Sequence, residues 1–138
     1  MISLESYIVI CTETEVIFME ENIVFNTEDV QQNKVFGILA YIGILFLVPL
    51  LAARDSQYAR FHTNQGIVLF ITDIILGIVS GILSAFFMWI PFLGTIISAL
   101  IGAVIGIFSL VMLILGIVNA CSGEPKKLPV IGGITILK

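Results

Sequence analysis

The sequence predicts an all-α integral membrane protein, and two observations support that prediction. From Gly66 to Val118 the chain has one charged side chain, Asp73. This run is long enough for two bilayer-spanning helices, since each needs about 20 apolar residues. Hydrophobic residues make up 59% of the chain and charged residues 12%, whereas soluble domains have about 45–50% and about 25%. A helix on the surface of a soluble protein needs a charged or polar face, and one charged residue cannot supply such a face for two helices, so the membrane is the expected environment of this run.

The chain divides into an acidic N-terminal tail (1–33), a membrane domain (34–121) and a C-terminal tail (122–138). The N-terminal tail contains no Lys or Arg, and its short runs of Ile, Val and Phe are separated by acidic residues. Such runs favour strands, which predicts a small β-hairpin. A tail that is disordered, or ordered only by a partner, is the alternative, because an isolated hairpin is marginally stable.

Three transmembrane segments are predicted, at about 35–53, 66–88 and 94–119. The first has the length of the hydrocarbon layer, since a helix rises about 1.5 Å per residue. Pro49 lies near its end. A proline in lipid is tolerated where neighbouring groups satisfy the freed carbonyl. The first segment is therefore expected to span, with a kink at Pro49 or a re-entrant path there as alternatives.

The second and third segments have clearer ends. Asp55 or Ser56 is placed to cap a helix that begins in the headgroup region and continues into the membrane. Trp89 is expected as an interfacial anchor in the turn before the third segment. The tail after residue 122 is rich in Gly and Pro, which indicates irregular structure outside the bilayer.

The charge distribution predicts an orientation. With three spans, the loop 54–65 and the C-terminal tail share one side, and that side holds five of the six basic residues: Arg54, Arg60, Lys126, Lys127 and Lys138. The other side holds Lys34. The positive-inside rule then predicts a multi-pass protein of the bacterial plasma membrane with its N-terminus outside and its C-terminus in the cytoplasm.

Small residues recur at helical spacing in both later segments. They are Gly77 and Gly81 in the second segment and Gly94, Ser98, Gly102 and Gly106 in the third. Membrane helices associate through close backbone contact at small residues. The spacing therefore predicts that the two segments pack as a tight antiparallel hairpin, with a stripe that lines a polar path as the alternative.

Asp73 belongs to a candidate functional polar stripe on one face of the second segment. The stripe consists of His62, Gln65, Asp73, Ser80 and Ser84. An acid at this depth must face a partner, water or another subunit, or be protonated. It is either a proton or cation site, or the acceptor of an interhelical hydrogen bond from a residue such as Tyr41, Thr95 or Ser98.

Other chemistry finds no support in the sequence. Cys11 and Cys121 lie far apart and form no CxxC pair, so no zinc or dithiol site is expected. A lone His62 cannot make a metal site, and no catalytic set, phosphate-binding loop or large basic patch occurs. We therefore expect no enzyme activity, catalytic residue, cofactor, metal or nucleic-acid partner.

Three stretches flank the segments in a recognisable order: Lys34–Tyr41, Ala59–Gly66 and Gly123–Gly132. Their motif residues are Arg60, Phe61, His62, Asn64, Gln65, Gly66, Gly123, Glu124, Pro125 and Pro129. Over about residues 34–136 the chain resembles a family of small bacterial membrane proteins of unknown function. That family is related to the Tic channel component of chloroplast inner-envelope protein import. The resemblance implies a helical membrane protein that works within a larger complex.

The expected function is that of a non-enzymatic membrane component in the lipid bilayer. It would act through membrane-protein partners or self-association, in a translocation or envelope complex. The alternative is a small channel or transporter formed by oligomerisation, with Asp73 lining the path, because three helices enclose too little space to conduct alone.

Overall fold

The structure, a computed structural model, describes residues 24–137 and is all-helical over that range. Four α-helices and one 3₁₀ helix make up the described chain. They are α1 (Thr27–Leu39), the 3₁₀ helix (Gly43–Phe46), α2 (Leu47–Ala52), α3 (Gln57–Phe87) and α4 (Leu93–Ser122). The β-hairpin predicted within residues 1–33 is not supported: residues 1–23 lie outside the described range, and Thr27 to Asn33 are helical.

Helices α3 and α4 form a long antiparallel pair, joined by a short turn around Trp89 and Pro91. They contain 31 and 30 residues and are apolar enough to cross a membrane. At about 1.5 Å per residue, each is longer than the hydrocarbon layer of about 30 Å. The second and third predicted segments are thus both present as candidate spans. Each helix is long enough for its ends to extend beyond the hydrocarbon layer.

The first predicted span, 35–53, is not a continuous helix, and the prediction of three spans is not supported. Helix α1 ends at Leu39, and the chain turns before the 3₁₀ helix and α2 begin. Gly43 adopts a φ of +51°, a left-handed conformation that favours glycine and interrupts the helix. The interruption is therefore at residues 40–43 and not at Pro49, which lies in the first turn of α2, where a missing N–H costs little.

Helix α1 begins with a standard cap and packs across one end of the α3–α4 pair. The Asn26 side chain accepts a hydrogen bond from the backbone N–H of Glu28 at 3.1 Å. Glu28 and Asp29 in the first turn complement the positive end of the helix dipole. Three glycines then permit close contact: Gly37 lies against the Tyr58 ring, Gly66 against the Ala40 carbonyl, and Gly116 against the Tyr41 ring.

We call this region the capped end, comprising residues 25–69 and 112–137. The hydrophobic core of the described chain lies here, where α1, the start of α3, the end of α4 and the C-terminal tail meet. Its buried members are Ala40, Tyr41, Val68, Leu69, Met112, Ala120, Leu128 and Ile131. The rest of the α3–α4 pair, residues 70–111, forms the open end, where Gly94 alone is buried.

The placement of α1 also bears on orientation. Phe25 contacts the rings of Tyr58 and Phe61, and Val30 lies against Gly123 at the end of α4. The first described residues therefore lie at the same end of the α3–α4 pair as the C-terminal tail. The predicted arrangement, with N-terminus and C-terminus on opposite sides, is not supported, because the span that was to separate them is broken.

Candidate functional site

The candidate site lies where the first turns of α3 meet the C-terminal tail. Ser56 caps α3, its Oγ accepting a hydrogen bond from the backbone N–H of Ala59 at 3.0 Å. The sequence predicted a cap at Asp55 or Ser56, and Ser56 provides it. The helix therefore starts well before the apolar run, and its polar residues face the tail rather than lipid.

Gln65 holds one part of the tail through both ends of its amide. Its Nε2 donates to the Gly132 carbonyl at 3.1 Å, and its Oε1 accepts from the Leu128 backbone N–H at 3.1 Å. The side chain is buried. An amide can donate and accept at the same time, so this one buried side chain holds two backbone groups of the tail against α3.

Asn64 holds the next part of the tail. Its Nδ2 donates to the Ile134 carbonyl at 2.9 Å. Its Oδ1 accepts from the backbone N–H groups of Ile136 at 2.6 Å and Leu137 at 2.9 Å. We call Asn64, Gln65 and tail residues 128–137 the tail clamp, because two adjacent side chains of α3 hold ten residues of otherwise irregular chain by five hydrogen bonds.

His62 lies two residues before Asn64 and is fully buried among aromatic rings. Its Nδ1 is 3.0 Å from the Tyr41 hydroxyl. The rings of Phe25, Tyr58 and Phe61 lie around it, with the Tyr58 ring centroid 4.7 Å away. Its Nε2, like the hydroxyl of buried Thr63, has no hydrogen-bond partner among residues 24–137.

Tyr58 ties together three parts of the capped end. Its hydroxyl donates to the Ala120 carbonyl in α4 at 2.5 Å. Its backbone N–H, at the start of α3, donates to Oδ2 of Asp29 in α1 at 3.2 Å. The tertiary structure makes this residue a link between α1, α3 and α4.

The remaining motif residues belong to the same region. Gly123 ends α4 with a φ of +70°, and a Cβ there would lie 2.7 Å from a Val30 methyl group. The backbone N–H of Glu124 then donates to the Asn119 carbonyl at 3.2 Å. After Pro125, the Pro129 carbonyl accepts from the N–H of Ile131 at 2.8 Å in the turn that presents Gly132 to the clamp.

Asp73 lies below the clamp and makes an interhelical hydrogen bond. The Ser109 hydroxyl donates to its Oδ1 at 2.6 Å. Ser109 was not among the three partners considered from the sequence, because the register of α3 against α4 is fixed only by tertiary contacts. The wider stripe is not one continuous surface: His62 and Gln65 are buried in the capped end, whereas Ser80 and Ser84 are half-buried in the open end.

The glycines predicted to pack α3 against α4 are placed differently from one another. A Cβ added at Gly77, Gly81, Gly102 or Gly106 would meet no atom of residues 24–137 within 4 Å. Gly94 lies against the Phe87 carbonyl at the turn, and Ser98 lines a pocket there together with Ser84 and Thr95. Close approach in the capped end falls instead to Gly37, Gly66 and Gly116, none of which was among the predicted packing residues.

Two pockets adjoin the tail clamp, and no acidic side chain of residues 24–137 lines either of them. The larger, of about 430 Å³, lies between α2, the start of α3 and Leu137. The second, of about 320 Å³, lies beside Phe61 and Gly132. Across the described range, no three His, Cys, Asp or Glu side chains are grouped so that they could hold a metal ion.

Comparison with known proteins identifies relatives over nearly the whole described chain. The magnetosome magnetite crystal formation protein family matches residues 32–136. The magnetosome protein MmsF of Paramagnetospirillum magneticum is 32% identical over 103 residues, covering 75% of this chain and 85% of that protein. The magnetosome protein MamF of the same organism is 29% identical over 117 residues, covering 83% and 95%.

Relatives also occur in archaea. A UPF0132 membrane protein of Methanocaldococcus jannaschii is 36% identical over 100 residues, covering 71% of this chain and 64% of that protein. No solved structure matches the chain.

The predicted relation to the Tic channel component is wrong. The three stretches that suggested it lie entirely within residues 32–136, and the family that matches this range is a different one. The matched range includes α3, α4 and the tail clamp, so it covers the site as well as the spans. This membrane protein therefore belongs to the magnetosome magnetite crystal formation protein family, together with UPF0132 membrane proteins.

Proposed function

We propose that this chain takes part in magnetite crystal formation as a non-enzymatic membrane protein that acts through protein partners. The observation that carries the proposal is the family match over residues 32–136, which spans both candidate transmembrane helices and the tail clamp. The relatives named as magnetosome proteins are matched over 85% and 95% of their own length. The likeness therefore extends over nearly the whole of those proteins and not to one helix alone.

The structure supports a scaffolding role for the capped end. The side chains of Asn64 and Gln65 hold the tail by hydrogen bonds to its backbone groups. Several large apolar side chains of the open end, such as Ile78, Phe86 and Ile107, are exposed in the chain by itself and suit contact with lipid. We infer that membrane-protein partners bind at this end, where the hydrogen bonds of the tail clamp fix the path of the tail.

The translocation role was inferred from the Tic resemblance and is withdrawn with it. No observation on the described residues favours the oligomeric channel, because Asp73 is engaged with Ser109. We therefore propose neither.

Complementation tests the proposal. A magnetite-forming bacterium that lacks its own MamF and MmsF would be given this chain, and crystal size would be measured by electron microscopy. We expect larger or more numerous crystals than in the deletion strain. The matched control is Gln65→Leu, which removes one half of the tail clamp. Crystals unchanged from the deletion strain, at a membrane abundance that immunoblotting shows to be normal, would refute the proposal.

We further propose that the capped end faces the cytoplasm. Arg54, Arg60, Lys126 and Lys127 all lie at this end, and basic residues near membrane helices favour the cytoplasmic side. Single cysteines at Met88 and Val130, both highly exposed and at opposite ends, would be labelled on a background without Cys11 and Cys121. We expect Met88→Cys to react with an impermeant reagent in intact cells and Val130→Cys to react only after permeabilisation. The reverse pattern would show the opposite orientation.

A further inference from the structure

The pocket between α2 and the start of α3 combines an apolar floor with two guanidinium groups. Its volume is about 430 Å³, within the range of about 300–1,000 Å³ usual for small-ligand pockets. Pro49, Leu50 and Leu51 line one side, Arg54 and Arg60 line another, and Leu137 of the clamped tail closes it. Both arginines are exposed. We propose that this pocket binds the phosphate headgroup of an anionic phospholipid.

The position of the pocket supports a lipid as the ligand. Residues 43–52 form an apolar helical segment of ten residues, about 15 Å long, which is too short to cross a bilayer. Leu51 in this segment is 63% exposed, and Leu47 and Val48 are also exposed. An apolar segment that cannot span, yet exposes its side chains at the end of a membrane hairpin, suits the boundary between headgroups and acyl chains.

The charges support a phosphate rather than a cation. Among residues 24–137, Arg54 makes no ion pair, and no acidic side chain of that range lines the pocket. A guanidinium group offers planar donors that match phosphate oxygens in pairs. Arg60 brings a second guanidinium group from the first turn of α3, and Arg54, in the loop just before that helix, lines the same pocket.

The apolar residues that line the pocket, Pro49, Leu50 and Leu51, favour a lipid over a free anion as the ligand. The leucines beneath the arginines are continuous with the exposed apolar face of α2, so glycerol and the first acyl carbons would lie on them while phosphate meets Arg54. Inorganic phosphate has no apolar part, so it would gain nothing from contact with these leucines. The inference concerns lipid binding only, and it stands or falls separately from any role in crystal formation.

Native mass spectrometry of the full-length chain in detergent tests the proposal. Phosphatidylglycerol and phosphatidylcholine would be titrated separately, and then phosphatidylglycerol in competition with inorganic phosphate. We expect one tightly held phosphatidylglycerol, with Arg54→Gln weakening its binding about tenfold, because a charge-assisted hydrogen bond is lost. Lys126→Gln removes the same charge from the same end but outside the pocket, and should change binding less than about twofold, as for a screened surface charge.

A second variant tests whether the apolar residues of the pocket contribute to lipid binding. Leu51→Gln should weaken phosphatidylglycerol binding while leaving every charge in place. Circular dichroism and size-exclusion chromatography would confirm that each variant is folded, as expected for exposed positions. Equal losses from Arg54→Gln and Lys126→Gln, equal affinity for the two lipids, or displacement by millimolar phosphate with no effect of Leu51→Gln would each overturn the proposal.

Discussion

The capped end and the open end of the same helix pair differ in what holds them. In α3, every buried residue lies between Tyr58 and Leu69, and none lies between Phe70 and Phe87. In α4, burial is concentrated at Met112, Gly116 and Ala120. The capped end contains a small core of polar and apolar side chains, with hydrogen bonds between distant parts of the chain. The open end instead presents large apolar side chains outward.

The difference follows from the solvent that each end meets. Lipid is as apolar as Leu or Ile, so burying such side chains between α3 and α4 gains little. Backbone groups of an irregular tail, by contrast, must find hydrogen-bond partners wherever water is excluded. The tail clamp meets that requirement with side chains of α3, and so the buried polar residues of this helix lie at its start, beside the irregular tail.

The largest expected effect breaks the capped end through a single glycine. Gly66→Val places a Cβ against the Ala40 backbone carbonyl, which cannot rotate away as a side chain could. We expect a loss of more than about 3 kcal/mol in the free energy of unfolding, at the upper end for overpacking. Thermal unfolding in detergent, followed by circular dichroism, would measure it.

Gly77→Val is the matched control, on the same helix but in the open end. A Cβ at Gly77 would meet no atom of residues 24–137 within 4 Å, so the free energy of unfolding should change by less than about 0.5 kcal/mol. If the two variants unfolded at the same temperature, the contrast between the two ends would be false.

A smaller loss is expected from opening the tail clamp. Gln65→Leu keeps the volume but leaves the Gly132 carbonyl and the Leu128 N–H without their partner. We expect a loss of about 2–3 kcal/mol, because unsatisfied buried polar groups are costly. The tail should also become sensitive to proteolysis.

Asn119→Ala is the control for the clamp, since its side chain makes one long, exposed hydrogen bond of 3.4 Å to the Lys126 carbonyl. It should leave both stability and protease resistance near those of the unmodified chain. A tail that stays resistant in Gln65→Leu would show that the clamp does not hold it.

Asp73 tests the boundary between the two ends. Asp73→Ala leaves the Ser109 hydroxyl without its acceptor, and we expect a loss of about 1 kcal/mol, as for other interhelical hydrogen bonds in membranes. Asp73→Asn should retain most of that stability, because its amide oxygen can still accept. Thermal unfolding of both variants, with Ser109→Ala as the matching partner, measures the bond. Equal losses in Asp73→Ala and Asp73→Asn would contradict a purely hydrogen-bonding role.

The smallest effect is expected from the glycine stripe of α4. Gly102→Leu adds a side chain where no atom of residues 24–137 lies within 4 Å of the new Cβ. The free energy of unfolding should therefore change by less than about 0.5 kcal/mol. The close packing of Gly102 against α3 that the spacing predicts would instead give a larger loss, because a leucine there would force the two helices apart. Thermal unfolding of the purified chain in detergent distinguishes the two expectations.

The sequence by itself determined the membrane class and the two long helices. These depend on composition over windows of about 20 residues, and the run from Gly66 to Val118 leaves little choice. It also indicated the cap of α3, since a side-chain oxygen just before a helix is a local signal that does not depend on distant contacts. The residues that form the clamp, Asn64 and Gln65, lay within a motif that sequence analysis singled out.

Only the tertiary structure decided which parts of the chain meet. The break after Leu39 was missed because residues 35–53 are apolar throughout, and hydropathy does not distinguish a spanning helix from two short ones. The partner of Asp73, the glycines that permit close contact and the tail held by Asn64 all depend on register between elements far apart in sequence. That register is fixed by packing at the capped end, where Tyr58 joins α1, α3 and α4.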